Sequence, residues 1–321
     1  MSHQFKALVS DSLAAEGVSL LEHSGLFVRV DVKTGLDAAA LHAVLPDYDV
    51  LLIRSMTKVK AETLNHATRL RVIGRAGAGV DNVDVPACTA KKVLVMNTPG
   101  GNNNAVAELA LGLMFAIARK LCDANASTKA GKWEKSKFMG AELQGRTLGV
   151  VGLGAIGAIV SRKAAALGMH VLASDPYATA RRGRELGATL VDFDTLLAKS
   201  DVVSVHVPLA DSTRHLFDAA AFAKMKKGVW FIDAARGDIA AEADLLAALQ
   251  SGQVGYAALD VFAQEPTPAD NPLLLHPNVI ATPHIGASTR EAQDNVGIQI
   301  AQQVIRYLRD GVIENAVNSI A

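Results

Sequence analysis

The chain predicts an α/β protein of two doubly wound parallel-sheet domains, one inserted in the other. Three observations carry this. Short runs rich in Val and Ile alternate with helical segments along most of the 321 residues, the pattern of parallel sheets covered on both faces. A glycine fingerprint that opens a βαβ unit, Gly152–Gly157, stands mid-chain and leaves about one domain's worth of sequence ahead of it. A last long helical pattern, Ser288–Arg309, comes after the second series of strands is complete, so it is expected to return to the first domain.

The elements follow in order. Strands are expected at Lys6–Ser10, Leu26–Val32, Val50–Ile53, Arg71–Gly74 and Val93–Asn97. Helices are expected between them at Ser12–His23, Leu36–Val44, Ala61–His66 and Val85–Lys91. The turn cluster Asn97–Asn102 marks a boundary. A long helix over about Asn103–Lys120 and a second through Lys129 lead to strands at 147–152, 170–174, 188–191, 202–207, 229–233, 255–260 and 278–282. The expected domains are 1–98 with 287–321, and 99–286.

Composition narrows the function. Thirty-two basic residues balance 32 acidic ones, which removes the electrostatic case for nucleic acid or an anionic membrane. The apolar stretch Leu109–Ala118 is too short to span a bilayer. The first residues show no signal-peptide pattern, so the cytoplasm is the expected location. Cys88 and Cys122 have no C-x-x-C spacing, and the nine histidines form no metal-binding pair, so neither a disulfide framework nor a metal is expected.

The fingerprint carries chemistry. Gly152 allows a tight turn, Gly154 lets backbone amides approach a pyrophosphate, and Gly157 lets the following helix pack on its strand. The positive end of that helix would then face the anion. Asp175 ends the next strand, where a carboxylate accepts from ribose hydroxyls and repels a 2′-phosphate, which favours NAD over NADP. Arg181 and Arg182 lie in a charged helical stretch expected to face solvent.

Three polar groups stand just past strands of the second series: Arg236, Glu265 and His284. Alone, each reads as an ordinary turn or loop residue. Together they suit hydride exchange at a carbon that bears a carboxylate. A guanidinium fork holds a carboxylate by two bonds, histidine carries a proton near neutral pH, and a glutamate beside it favours the imidazolium. The cofactor carries the hydride.

With these residues, the segments Arg54–Thr57, Gly74–Asn82, Asn97–Asn102, Gly131–Gly140, Ala235–Gly237, Leu259–Phe262, Glu265–Pro266 and Thr282–Ser288 complete a pattern. On it the chain resembles the D-2-hydroxyacid dehydrogenase family over essentially its whole length. Gly74–Asn82 and Gly131–Gly140 point to the D-3-phosphoglycerate dehydrogenase branch.

The resemblance implies a Rossmann-type NAD domain inserted in a flavodoxin-like substrate domain, with a cleft that closes over substrate. It implies NAD-dependent oxidation of 3-phospho-D-glycerate to 3-phosphooxypyruvate, the first step of L-serine biosynthesis. Arg236, Glu265 and His284 would be catalytic. Arg54, Ser55, Arg75 and backbone amides near Gly77 would bind substrate with Arg236 and His284. Lys135, in an interface segment Trp133–Met139, would reach a partner's substrate. Around NAD it places Ala78, Ala155, Ile156, Val207, Pro208, Thr213, Ala234, Ala235, Asp260, Gly286 and Ala287, besides the fingerprint glycines, Asp175, Arg236 and His284. Asp260 would lie near the nicotinamide amide.

Ala78 stands where the family commonly has Thr, and Val207 where it has Thr or Val. Long members continue into a small serine-sensing domain, whereas this chain stops at Val317–Ala321, so that feedback is not expected. A homodimer or dimer of dimers, joined through the segment after residue 100, is implied. The rival readings are a glyoxylate or hydroxypyruvate reductase, another D-2-hydroxyacid dehydrogenase, and an NAD-sensing binding protein.

Overall fold

The computed structural model describes residues 4–320; residues 1–3 and 321, the outermost of the expected first domain, lie outside it. Two compact units are present, Met1–Asn102 with Ala287–Ala321, and Asn103–Gly286. The first begins with β1 (Phe5–Val9), α1 (Ala15–His23), β2 (Phe27–Val32), α2 (Ala38–Val44) and β3 (Val50–Ile53). It continues with α3 (Ala61–Asn65), β4 (Val72–Arg75), α4 (Val85–Ala90) and β5 (Leu94–Asn97). The strands pair in parallel in the order β2-β1-β3-β4-β5, the flavodoxin-like order.

The second unit starts with α5 (Asn103–Arg119) and α6 (Leu121–Lys129). Its sheet alternates β6 (Thr147–Val151), α7 (Ala155–Ala166), β7 (His170–Ser174), α8 (Ala180–Glu185), β8 (Ala188–Leu190), α9 (Phe193–Lys199) and β9 (Val202–Val205). There follow α10 (Ala219–Lys224), β10 (Val229–Asp233), α11 (Glu242–Gln250), β11 (Val254–Leu259), α12 (Pro272–Leu275) and β12 (Val279–Ala281). The order is β12-β11-β10-β9-β6-β7-β8, parallel throughout. Chain order runs outward both ways from the β6–β9 pair, the switch point at which open α/β sheets bind ligands. The last helix, α13 (Arg290–Asp310), belongs to the first unit and packs along α1 and over β4.

Period-two burial builds each sheet. Leu8, Leu51, Ile73 and Val95 enter one core of the first unit, and Ala7, Val9, Leu52, Val72 and Leu94 enter the other. In the second unit Val150, Val202 and Ile232 face one core and Val203, Val205 and Phe231 the other. Phe217 and Phe222 set their rings edge-on to Phe231 at centroid distances of 5.0 and 5.5 Å. Strands covered on both faces read as continuous apolar runs, which is why they were visible in sequence.

The start of one helix differs from expectation, and the end of the chain pairs where no strand was expected. Helix α1 begins at Ala15, not Ser12, because the Asp11 carboxylate accepts from the Arg54 and Thr57 amides and holds residues 10–14 out of the helix. After α13, which Gly311 ends in the left-handed conformation, the chain covers the outer edge of β5. Ala316 bridges Met96, Val317 donates to the Val95 carbonyl at 2.9 Å, and Asn318 Oδ1 accepts from Val95 N–H at 2.8 Å.

Candidate active site

The residues that fit a dinucleotide gather at the carboxyl ends of β6, β7 and β9. Gly152 turns the chain at φ 92°, and a β-carbon there would come within 2.7 Å of the His206 carbonyl. A β-carbon on Gly157 would overlap the Gly152 carbonyl, so α7 lies on its strand only with glycine at 157. At Gly154 a β-carbon would meet nothing, which leaves that side of the turn open to a phosphate. Gly154 caps α7 without a side-chain bond, so the amides beginning at Ala155 and Ile156 are left for an anion. Asp175 Oδ2 accepts from Leu153 N–H at 2.7 Å and Oδ1 from Tyr177 N–H at 2.8 Å; each oxygen keeps a lone pair for a ribose hydroxyl. Arg181 instead meets Glu185 at 2.9 Å on the exposed face of α8. Beyond β9, Thr213 Oγ1 donates to the Pro208 carbonyl at 2.6 Å and accepts from Ala210 N–H at 2.8 Å, which shapes the loop that carries Val207. These groups fit NAD.

Three further turns, after β10, β11 and β12, bring the catalytic candidates together. His284 Nδ1 lies 2.7 Å from Glu265 Oε2. Histidine sits here at φ 53°, in the left-handed region. Asp260 holds that turn. Nearly inaccessible at 1% exposure, its carboxylate accepts from Thr282 Oγ1 at 2.6 Å and from the Ile285 and Gly286 amides, each at 2.8 Å. Both its oxygens thus serve the turn that presents His284 and Gly286.

The Glu265 loop is fixed likewise. Phe262 N–H donates to Glu265 Oε1 at 3.1 Å, and Glu242 of α11 accepts from Ala263 N–H at 2.8 Å and from Asn271 Nδ2 at 3.1 Å. A β-carbon at Gly237 would overlap the Phe262 backbone, so the turn that carries Arg236 packs directly on the turn after β11. Within it, Asp233 Oδ1 accepts from Ala235 N–H at 2.8 Å, and Arg236 Nη1 donates to the Ala235 carbonyl at 2.6 Å, with Ala234 between them in the chain. Sequence reasoning missed Asp233 and Glu242. Their one signal was an acid at a strand or helix end before a turn, which many positions share.

The electrostatics agree with the pairing. The Glu265 bond raises the His284 pKa above 6.5, against the opposing effects of burial and the Arg236 charge. For Glu265, burial acts upward, but the His284 bond, the Phe262 amide and the nearby positive charges hold it below 4.5. Burial pushes the Asp233 carboxyl up to about 7, opposed by the Ala235 and Arg236 backbone and the Arg236 charge. Burial likewise drives His206 down to about 4, with Ser204 Oγ 2.9 Å from its Nε2.

The remaining candidates lie elsewhere in the chain. Arg54 and the exposed Ser55 follow β3, and Arg75 is the last residue of β4. A β-carbon at Gly77 would overlap the Arg75 guanidinium, so glycine makes room for that side chain. The Gly77 amide itself donates to Thr98 Oγ1 at 2.7 Å. Ala78 is in the first unit, where its carbonyl accepts from Asn97 Nδ2 at 2.6 Å, and Ala287 begins that unit's second segment. Lys135 opens an exposed 3-10 turn, Lys135–Phe138, between Trp133 and Met139, which are 87% and 79% exposed. Among the described residues no helix is long and apolar enough to cross a membrane.

Residues 111–286 match the family model of the D-isomer specific 2-hydroxyacid dehydrogenase, NAD binding domain. The chain belongs to this family. The chain is 48% identical over 313 residues to the D-3-phosphoglycerate dehydrogenase of Archaeoglobus fulgidus, covering 98% of this chain and 59% of that protein. It is 45% identical over 313 residues to the D-3-phosphoglycerate dehydrogenase of Synechocystis, covering 98% of this chain and 56% of that one. The chain thus spans less than two thirds of the length of these curated relatives. A solved glyoxylate reductase from Paecilomyes thermophila superposes with a TM-score of 0.87 at 30% identity, covering 99% of both chains. The family is one of NAD-dependent oxidoreductases, and the cofactor is NAD.

Proposed function

We propose that this dehydrogenase oxidises 3-phospho-D-glycerate to 3-phosphooxypyruvate with NAD, the first step of L-serine biosynthesis. The observation that carries a 2-hydroxy-acid reaction is the His284–Glu265 pair on the same sheet edge as the nucleotide turn and Arg236. The phosphorylated substrate rests on the likeness to phosphoglycerate dehydrogenases and on the two arginines Arg54 and Arg75.

Each group then has a task. With Nδ1 bound to Glu265, His284 has Nε2 for the substrate hydroxyl and takes its proton as general base. Glu265 stabilises the imidazolium that results and keeps the ring in orientation. Arg236 holds the substrate carboxylate and polarises the 2-oxygen as it becomes a carbonyl. Bound NAD supplies the acceptor for the hydride that leaves the same carbon. Arg54 and Arg75 take the anionic groups of the substrate. A soluble cytoplasmic homodimer or dimer of dimers goes with this reading. Support for the contact comes from exposed Phe115, Leu121, Trp133 and Met139 in the segment after Asn102.

The test is NADH formation with 3-phospho-D-glycerate, D-glycerate, D-lactate and glycolate in parallel, with the keto product trapped. A strong preference for the phosphorylated acid is expected. Equal or faster oxidation of the unphosphorylated acids would overturn the substrate assignment and move the chain to the glyoxylate and hydroxypyruvate reductases.

A further inference from the structure

One buried carboxylate of the first unit takes no part in the chemistry above. Asp11, just past β1, is 4% exposed. Its Oδ2 accepts from the backbone N–H of Arg54 at 2.6 Å and of Thr57 at 3.1 Å, and its Oδ1 accepts from the Thr57 hydroxyl at 2.7 Å. Ser10 Oγ lies 2.9 Å from that hydroxyl. Asn82 takes the opposite polarity of the same loop: its Nδ2 donates to the carbonyls of Arg54 and Thr57, each at 2.7 Å. Both ends of Arg54–Thr57 are therefore tied through N–H and C=O alike. Between them Ser55 is exposed and Met56 is 78% exposed. The Arg54 side chain rests against the same support, with Nη1 3.4 Å from the Ser12 carbonyl.

A short exposed loop has many conformers, and ordering it when a ligand arrives weakens binding. Bonds to a charged acceptor are stronger than neutral ones, so a buried carboxylate is an effective anchor for two amides and a hydroxyl. We infer that Asp11 and Asn82 are positioning residues that preform the Arg54–Thr57 loop, and with it Arg54 and Ser55, for an anionic substrate. This rests on the assignment of Arg54 and Ser55 to substrate.

The experiment uses the full chain carrying Asp11→Asn or Asn82→Leu. Steady-state kinetics are taken with whichever 2-hydroxy acid the wild type oxidises fastest, and amide hydrogen exchange is followed at Arg54 and Thr57. Each variant is expected to raise KM for the acid about tenfold, the effect of one weakened bond to a charged group in Asp11→Asn and of two lost neutral bonds in Asn82→Leu. The expected kcat and KM for NAD stay within roughly twofold of wild type, because only uniform substrate binding is weakened. Exchange at the two amides is expected to be faster. An unchanged KM for the acid, whatever the exchange rates, makes the bonds purely structural and overturns the inference. So does a KM for NAD that rises in step with that for the acid. Should Asp11→Asn fail to fold, Asn82→Leu decides by itself, since it removes the donor of both carbonyl bonds and leaves the Asp11 anchor in place. A wild type that prefers an unphosphorylated acid ends the proposed substrate but not this inference, which is then read on that acid.

Discussion

His284 and Glu265 each move the other's proton equilibrium, and the signs set a pH window. The His284 contribution to stability is complete below 6.5 and is lost as pH rises through the raised folded value. That of Glu265 is complete above 4.5 and is lost as pH falls through its lowered folded value. The pair therefore stabilises the fold most between 4.5 and 6.5, modestly, because both side chains are more than a third exposed. Oxidation needs the neutral imidazole, so the acid limb of kcat/KM is expected above pH 6.5, and Glu265→Gln is expected to move it downward. A limb that stays in place in that variant would remove Glu265 from its role. His284→Ala is expected to lower kcat about a hundredfold or more with NAD affinity retained, measured by turnover and by nucleotide titration. Asp233 behaves in the opposite sense to Glu265. Its folded value near 7 means the native state resists an ionisation that the unfolded chain completes above 3.8, so it destabilises the fold increasingly up to about 7. Asp233→Asn keeps the acceptor for the Ala235 amide, and is expected to raise Tm at pH 8 more than at pH 5; equal shifts would count against a buried charge. Arg236, Glu265 and His284 were legible as polar groups after strands. The pairing of the second with the third was read from their chemistry, but its geometry was not: 19 residues separate them, and the β11–β12 pairing brings their turns together.

At the scale of elements, the turns after β10, β11 and β12 leave carboxyl ends of parallel strands and are tied to segments distant in sequence as well as by local bonds. The Arg236–Gly237 turn lies on Phe262, Glu242 of α11 ties down Ala263, and Asp260 ties down residues 282–286. Gly237→Ala tests this interlocking. Its methyl would press on backbone that cannot swing aside, so a loss of about 1–3 kcal/mol in denaturant unfolding is expected, with a fall in kcat. Unchanged stability would show that the turn has room to shift. Strands and their order of appearance were readable because buried parallel strands are apolar runs of Val, Ile and Leu. The start of α1 and the pairing of residues 316–318 with β5 were not, because both are set by hydrogen bonds to distant segments.

At the scale of the whole molecule, each unit has its own sheet and its own pair of cores, so a ligand of one unit should report on that unit first. NAD at about a hundred times its Kd is expected to stabilise the second unit by about 2.7 kcal/mol, seen as a rise in Tm with NAD concentration; no rise would contradict the nucleotide site. The amino-acid sequence by itself determined the fold class, the family, the nucleotide turn and the identity of the three catalytic candidates, because periodicity, glycine spacing and strand-end position are properties of short segments. The tertiary structure decided what Asp11, Asn82, Asp233, Glu242 and Asp260 do. A buried acid or amide is defined by which amides, hydroxyls and carbonyls point at it, and these partners come from turns that meet only when the sheets are assembled.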